Sequence, residues 1–189
     1  MTIEEMKEKL EKELPPKRFV HSVNVMDTAV KLAGVYNEDV EKAAVAGLLH
    51  DCARGLGDEQ TIEMCRKYGM EPDSISVAQP VLLHGPLGAI LAKEEYGIGD
   101  EEILSAVRCH TTGCENMSTL DKIIFLADYI EPGRSFEGVE RVRRTAFDDL
   151  DQALITAFDG VLEHVIKKGK LIHPDTVKAR NYLLQNTAK

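Results

Sequence analysis

The stretch AGLLHDCARGL, residues 46–56, poses the question on which the fold turns. An apolar helical run ends in a histidine followed at once by an aspartate, His50 and Asp51. A core helix needs neither. An unpaired buried carboxylate is costly unless a cation or several donors compensate it. The pair therefore either stands exposed at a helix end or holds something positive.

The neighbouring segments read as helices separated by capping and breaking residues. TIEEMKEKLEKEL is a charged helix stopped by Pro15-Pro16, and KRFVHSVNVMDTAVKLAGVY follows it. Phe19, Val23, Met26, Val30 and Ala33 form one apolar stripe on this second helix, with His21, Val25, Thr28, Leu32 and Val35 roughly opposite. Only the sector of Asn24, Asp27 and Lys31 is polar, so the helix is expected to be largely buried, carrying His21 inward. Asn37 is the expected N-cap of EDVEKAAVAGLLHDCA, a helix over residues 38–53, with Gly55 ending it. DEQTIEMCRKY ends at Gly69, and Gly85-Pro86 is expected to break the chain just after His84. Pro86 then sits in the first turn of a helix ending near Gly97. DEEILSAVRCHTTG places His110 at a helix C-terminus, and Ser118 with Asp121 makes a capping-box start to TLDKIIFLADYI. Two or three helices fill the tail. No segment alternates with period two, so the expectation is an all-α single-domain helical bundle of nine or ten helices over residues 1–189, with residues 1–14 as an N-terminal helix.

Bulk composition narrows the function. The 189 residues suit one domain with a real core, at 43% apolar and 29% charged. Trp is absent and aromatics make up 5%, which argues against a stacking platform for single strands. A net charge of -9 disfavours nucleic acid but leaves room for a local basic pocket for a small phosphate ligand. The four cysteines include no C-x-x-C pair, and a Cys109-His110-Cys114 zinc knuckle is disfavoured for want of a thiolate pattern. The charged start has no apolar signal region, and AAVAGLL is too short for a membrane span. A cytoplasmic location without membrane or nucleic-acid partners is expected.

Any one of the six histidines has an ordinary reading as a hydrogen-bonded core or surface residue, and His164 fits it well. The group of His21, His50, His84 and His110 resists that reading, because each sits beside apolar residues on a different helical segment. Asp51 adjoins His50, and Asp128 lies inside IIFLADYI. Imidazoles and carboxylates are the donors that borderline transition metals prefer, and helices can gather them in a bundle core. Iron is the first expectation from this mixed set, with manganese or zinc behind it, as one or two ions.

The order His21, His50-Asp51, Asp128 reproduces the H…HD…D signature of the HD phosphohydrolase superfamily, which the chain resembles. The blocks FVHSVNVMDTAVKLA, LLHGPLGAILAKEEYGI, AVRCHTTGCENMSTLDKIIFLADYIEPGR and HPDTVKARNYLL extend the resemblance to the bacterial YqeK family. That likeness runs from about residue 15 to residue 184. It implies symmetrical bis(5'-nucleosyl)-tetraphosphatase activity, with diadenosine tetraphosphate as substrate and ADP as product. It also implies that His21, His50, Asp51 and Asp128 hold a metal ion. His84 and His110 would hold a second ion or touch phosphate. Metal-assisted hydrolysis would then place Asp51, His84 and His110 at the reaction centre. Arg18, Arg134, His173 and Arg180, with Thr111 as a hydroxyl donor, are the expected substrate contacts alongside His84, His110 and Asp128, and Arg54 is an expected partner of Asp51. Other nucleotide phosphohydrolases of the superfamily, a di-iron oxygenase and a non-catalytic sensor are the alternatives. A homodimer is left open.

Overall fold

The computed structural model describes residues 1–187, which contain eleven α-helices and no strand. The architecture is the expected all-α bundle. Its centre is built by α2 (Pro16–Tyr36), α3 (Val40–Leu49), α7 (Glu101–Cys109) and α8 (Thr119–Ile130), which pack against one another. α6 (His84–Tyr96) lies on α7, and α10 (Leu150–Lys167) lies on α8. α1 (Ile3–Glu13), α4 (Asp58–Lys67), α5 (Ser74–Ala78), α9 (Val139–Thr145) and α11 (Pro174–Thr187) complete the fold. Ile123, Ile124, Leu126 and Ala127 are all fully buried, so α8 is covered on most sides, as its nearly continuous apolar sequence requires. Among the described residues, no helix is long and apolar enough to cross a membrane.

The expected capping box at Ser118 is present; Thr2 forms another ahead of α1, and Pro16 takes the first position of α2, where a missing N–H costs nothing. α2 is buried much as expected, with His21 inside, although Val35 in its last turn is exposed.

Four details differ from the sequence-based expectation. Asn37 does not cap α3. It takes the left-handed conformation (φ 53°, ψ 37°) and ends α2, and Asp39 caps α3 by accepting from the N–H groups of Glu41 and Lys42. α3 stops at Leu49, before the expected Gly55. The His50 imidazole Nδ1 lies 2.8 Å from the Gly47 carbonyl, the acceptor that residue 51 would use in a continuing helix. The chain then makes a 3₁₀ turn over Cys52–Gly55. The break near His84 falls before it: a 3₁₀ turn over Pro80–Leu83 leads into α6, which starts at His84. The helix count exceeds nine or ten because Asp73 caps a single short helix, α5, that has no periodic pattern.

Candidate metal centre

Three histidines reach the centre by one local device. His50 and His110 follow the last residues of α3 and α7, and His84 closes the 3₁₀ turn of Pro80–Leu83. Each ring aims Nδ1 at the carbonyl three residues earlier: Gly47 at 2.8 Å, Val107 at 2.7 Å, and Val81. A carbonyl in that position can only accept, so each Nδ1 carries the proton and each Nε2 presents a lone pair. At His50 and His110 the ring caps a helix C-terminus, so there the negative end of the helix dipole faces the centre, whereas His84 opens α6.

The Nε2 atoms converge on Asp51, which is 2% exposed. One carboxylate oxygen, Oδ1, lies 3.3 Å from His84 Nε2 and 3.8 Å from His110 Nε2. The other, Oδ2, lies 3.6 Å from His50 Nε2 and 3.8 Å from His21 Nε2. Asp128 approaches from α8, with Oδ1 3.0 Å from His21 Nε2 and 3.9 Å from His50 Nε2. Three overlapping donor groups result: His21-His50-Asp51, His50-His110-Asp128 and Asp51-His84-His110. Asp51 belongs to two of them and faces histidines with both oxygens.

The donor chemistry fits a metal. Burial and the neighbouring His110 hold His84 at about 4, and burial with His50 holds His110 at about 4, so both are neutral at pH 7. Burial likewise pushes His50 down. Asp51 is held at about 2: burial opposes its charge, but the surrounding imidazoles outweigh burial. Asp128 lies well below the usual carboxylate range, because the His21 hydrogen bond and nearby positive charge overcome burial. His84 Nε2 and His110 Nε2 stand 3.0 Å apart, both facing inward with lone pairs. The Thr111 hydroxyl lies 3.1 Å from one and 3.2 Å from the other, and it has a single proton to give. A cation satisfies both.

His21 differs. Its Nε2 meets Asp128, and its Nδ1 meets Glu131 Oε1 at 3.2 Å. Burial works against a charge on this ring, but Asp128 and Glu131 outweigh it and raise the pKa. A cation between His21 and Asp128 would take the place of that proton.

Positive side chains ring the centre. Arg18 Nη1 lies 2.9 Å from Asp51 Oδ2, Arg54 Nε lies 3.9 Å from Asp51 Oδ1, and Arg134 pairs with Asp128. Thr111 also lines a cleft of about 190 Å³ shared with Val81, Val161, Leu171 and His173. His173 there lies 3.3 Å from Asp73 Oδ2. Arg180 pairs with Asp159 of α10. The structure thus gathers His21, His50, Asp51, His84, His110, Asp128, Arg18, Arg134 and Thr111 in one place. His173 stands along the adjoining cleft, and Arg180 is engaged by α10. His164 is exposed, and Asp121 serves its capping box.

Sequence reasoning missed Glu131 and Asn24. Glu131 is 3% exposed and accepts from Asn24 Nδ2 at 2.9 Å. The available signal was spacing: Glu131 follows Asp128 by three residues, and Asn24 follows His21 by three, so each shares a helix face with a cluster residue.

Relatives share this framework. Residues 18–133 match the family described as HD domain. A protein from Halalkalibacterium halodurans named bis(5'-nucleosyl)-tetraphosphatase, symmetrical, is 44% identical over 88% of this chain and 89% of its own length. Proteins of the same name from Bacillus subtilis and Staphylococcus aureus are each 38% identical, the first over 94% of this chain and 95% of its own, the second over 96% and 94%. A crystal structure from Clostridium acetobutylicum, described as a predicted HD superfamily hydrolase involved in NAD metabolism, superposes with a TM-score of 0.95 at 50% identity, covering 98% of both chains. The histidine-aspartate pair at the end of α3, the match over residues 18–133 and these near full-length relatives together establish that the chain belongs to the HD-domain family.

Proposed function

We propose that this chain is a metal-dependent phosphoanhydride hydrolase that cleaves diadenosine tetraphosphate symmetrically into two ADP molecules. The near full-length relatives named for that activity support the substrate. One structural observation carries the chemistry: Asp51 faces histidine nitrogens with both oxygens, so it can bridge two cations. In this reading His21, His50, Asp51 and Asp128 hold one ion, and His84, His110 and Asp51 hold a second. Iron suits the mixed imidazole and carboxylate set best, ahead of manganese and zinc. When bound, such ions polarise phosphoryl oxygens and acidify water.

The chain's own groups supply recognition. Arg18 and Arg134 place planar forks at the two carboxylates, where they can take phosphate oxygens of a polyanionic substrate. Thr111 offers a hydroxyl between His84 and His110. His173 lines the cleft that opens beside Thr111, and Arg180 stands further along the last helix as a contact for the more distant phosphate or ribose. Residues 1–189 act as one HD domain, located in the cytoplasm, and a homodimer is compatible with this arrangement.

The site of cleavage depends on where one ADP half is anchored, because the reacting phosphorus must lie in line with the attacking oxygen. Anchoring one half along the arginines places the middle anhydride at the centre and lets the other half leave as ADP. Chromatography of an early time point with metal-replete protein tests this. Two ADP per substrate is the expected result, and ATP plus AMP as first products would refute symmetrical cleavage. Exhaustive chelation should abolish the activity, and activity surviving it would remove the metal from the mechanism.

A further inference from the structure

Of the four histidines at the centre, three place Nδ1 against a backbone carbonyl, and only His21 places it against a carboxylate. That carboxylate, Glu131, is held from several directions. Asn24 donates to Oε2 at 2.9 Å and the Gly133 N–H donates to the same oxygen at 2.6 Å. Arg143 donates to the Glu131 carbonyl at 3.0 Å, and also to the carbonyls of Ile130 at 2.8 Å and Arg134 at 3.1 Å. A Cβ on residue 133 would come within 2.9 Å of Glu131 Oε1, so glycine is what admits the carboxylate there. Burying this group at the end of α8 is costly, and the Asn24 and Gly133 donors offset the cost while fixing the carboxylate in place. Its other oxygen, Oε1, faces His21 Nδ1 at 3.2 Å, with Arg134 Nε 3.8 Å away.

We propose that Glu131 is a positioning residue for His21, holding the ring with Nδ1 protonated and Nε2 aimed at the centre, and strengthening Nε2 as a metal donor. An imidazole that gives its second N–H to a carboxylate is a more basic ligand than one that gives it to a carbonyl. His21 is then the strongest imidazole donor of the four, and it stands opposite Asp128. Asn24 and Gly133 keep Glu131 from swinging in to ligate directly. This inference rests on the reading of His21 as a ligand.

The test is a calorimetric titration of chelator-stripped full-length protein with Mn²⁺. Wild type, Glu131→Gln, His21→Ala and the double variant are compared. The glutamine side chain keeps the size but has one oxygen for three donors, Asn24, Gly133 and His21, and loses the charge. Glu131→Gln should weaken Mn²⁺ binding by about 10- to 100-fold. In the His21→Ala background the same substitution should change nothing further. Equal affinity of Glu131→Gln and wild type would overturn the proposal. So would an undiminished effect without His21, which would assign Glu131 to the fold alone. Wild-type affinity in His21→Ala would remove His21 from the ligand set, and the proposal with it, an outcome distinct from failure of Glu131 alone. Should Glu131→Gln not fold, the ¹⁵N spectrum of the Zn²⁺-loaded wild type decides. A protonated, hydrogen-bonded Nδ1 on His21 is expected, and a protonated Nε2 would overturn it.

Discussion

Asp51 touches more of the centre than any other side chain, meeting four imidazoles, Arg18 and Arg54 within 4 Å. Asp51→Asn keeps its shape and removes its charge, so hydrolysis should fall by orders of magnitude and metal content should fall with it. Full activity in that variant would refute the bridging role. His84→Ala and His110→Ala should each lower metal content from about two ions to about one per chain, read by elemental analysis. Unchanged content with weaker substrate affinity would make them phosphate contacts, and no change in either would return them to ordinary core histidines. These residues were legible in the sequence because histidine and aspartate are conspicuous inside apolar helical runs. Glu131 was not, because an acidic residue before Pro132-Gly133 reads as a solvated helix end. What buries it is Asn24 and His21, more than a hundred residues earlier in the chain.

At the level of helices, the spacing between His21 and His50 depends on how closely α2 and α3 approach. A Cβ on Gly47 would lie 2.9 Å from the Met26 Cα, which is backbone and cannot turn aside. Gly47→Ala should therefore force the helices apart and destabilise the protein by about 1–3 kcal/mol, read by denaturant unfolding. It should also weaken metal binding, since His21 and His50 each lie within about two helical turns of that contact. Gly34→Ala is the control. A Cβ there meets nothing within 4 Å on an exposed helical face, so the substitution should leave metal binding alone and be neutral to stabilising by up to about 1 kcal/mol. An equal loss in both variants would show that the close approach does not matter. Most helices were legible from apolar periodicity and breaking residues, and α8 from its cap at Ser118 as well. The boundary at Asn37 was not, because asparagine suits both a helix start and a left-handed helix end, and Asp39 two residues later decided between them. The early end of α3 was hidden too, since it comes from the His50 ring competing for a backbone carbonyl.

The molecule as a whole is an acidic bundle, with net charge -9, whose centre gathers histidines and arginines from α2, α3, α6, α7 and α8. The all-α class could be inferred from periodicity and punctuation, but the meeting of α2 with α8 could not, since it joins segments about a hundred residues apart. Adding Mn²⁺ to stripped protein at about 100 times its dissociation constant should stabilise the fold by about 2.7 kcal/mol, read as a higher melting temperature. An unchanged melting temperature would show that no cation binds the folded chain preferentially. The facing lone pairs of His84 and His110 give this linkage a local address. They are a point of frustration in the core, two groups with good helical reasons to be where they are and none to face each other. Relief of that conflict belongs to the bound state, so the ends of α7 and of the turn before α6 should be the parts whose amide hydrogens slow most when a cation is supplied.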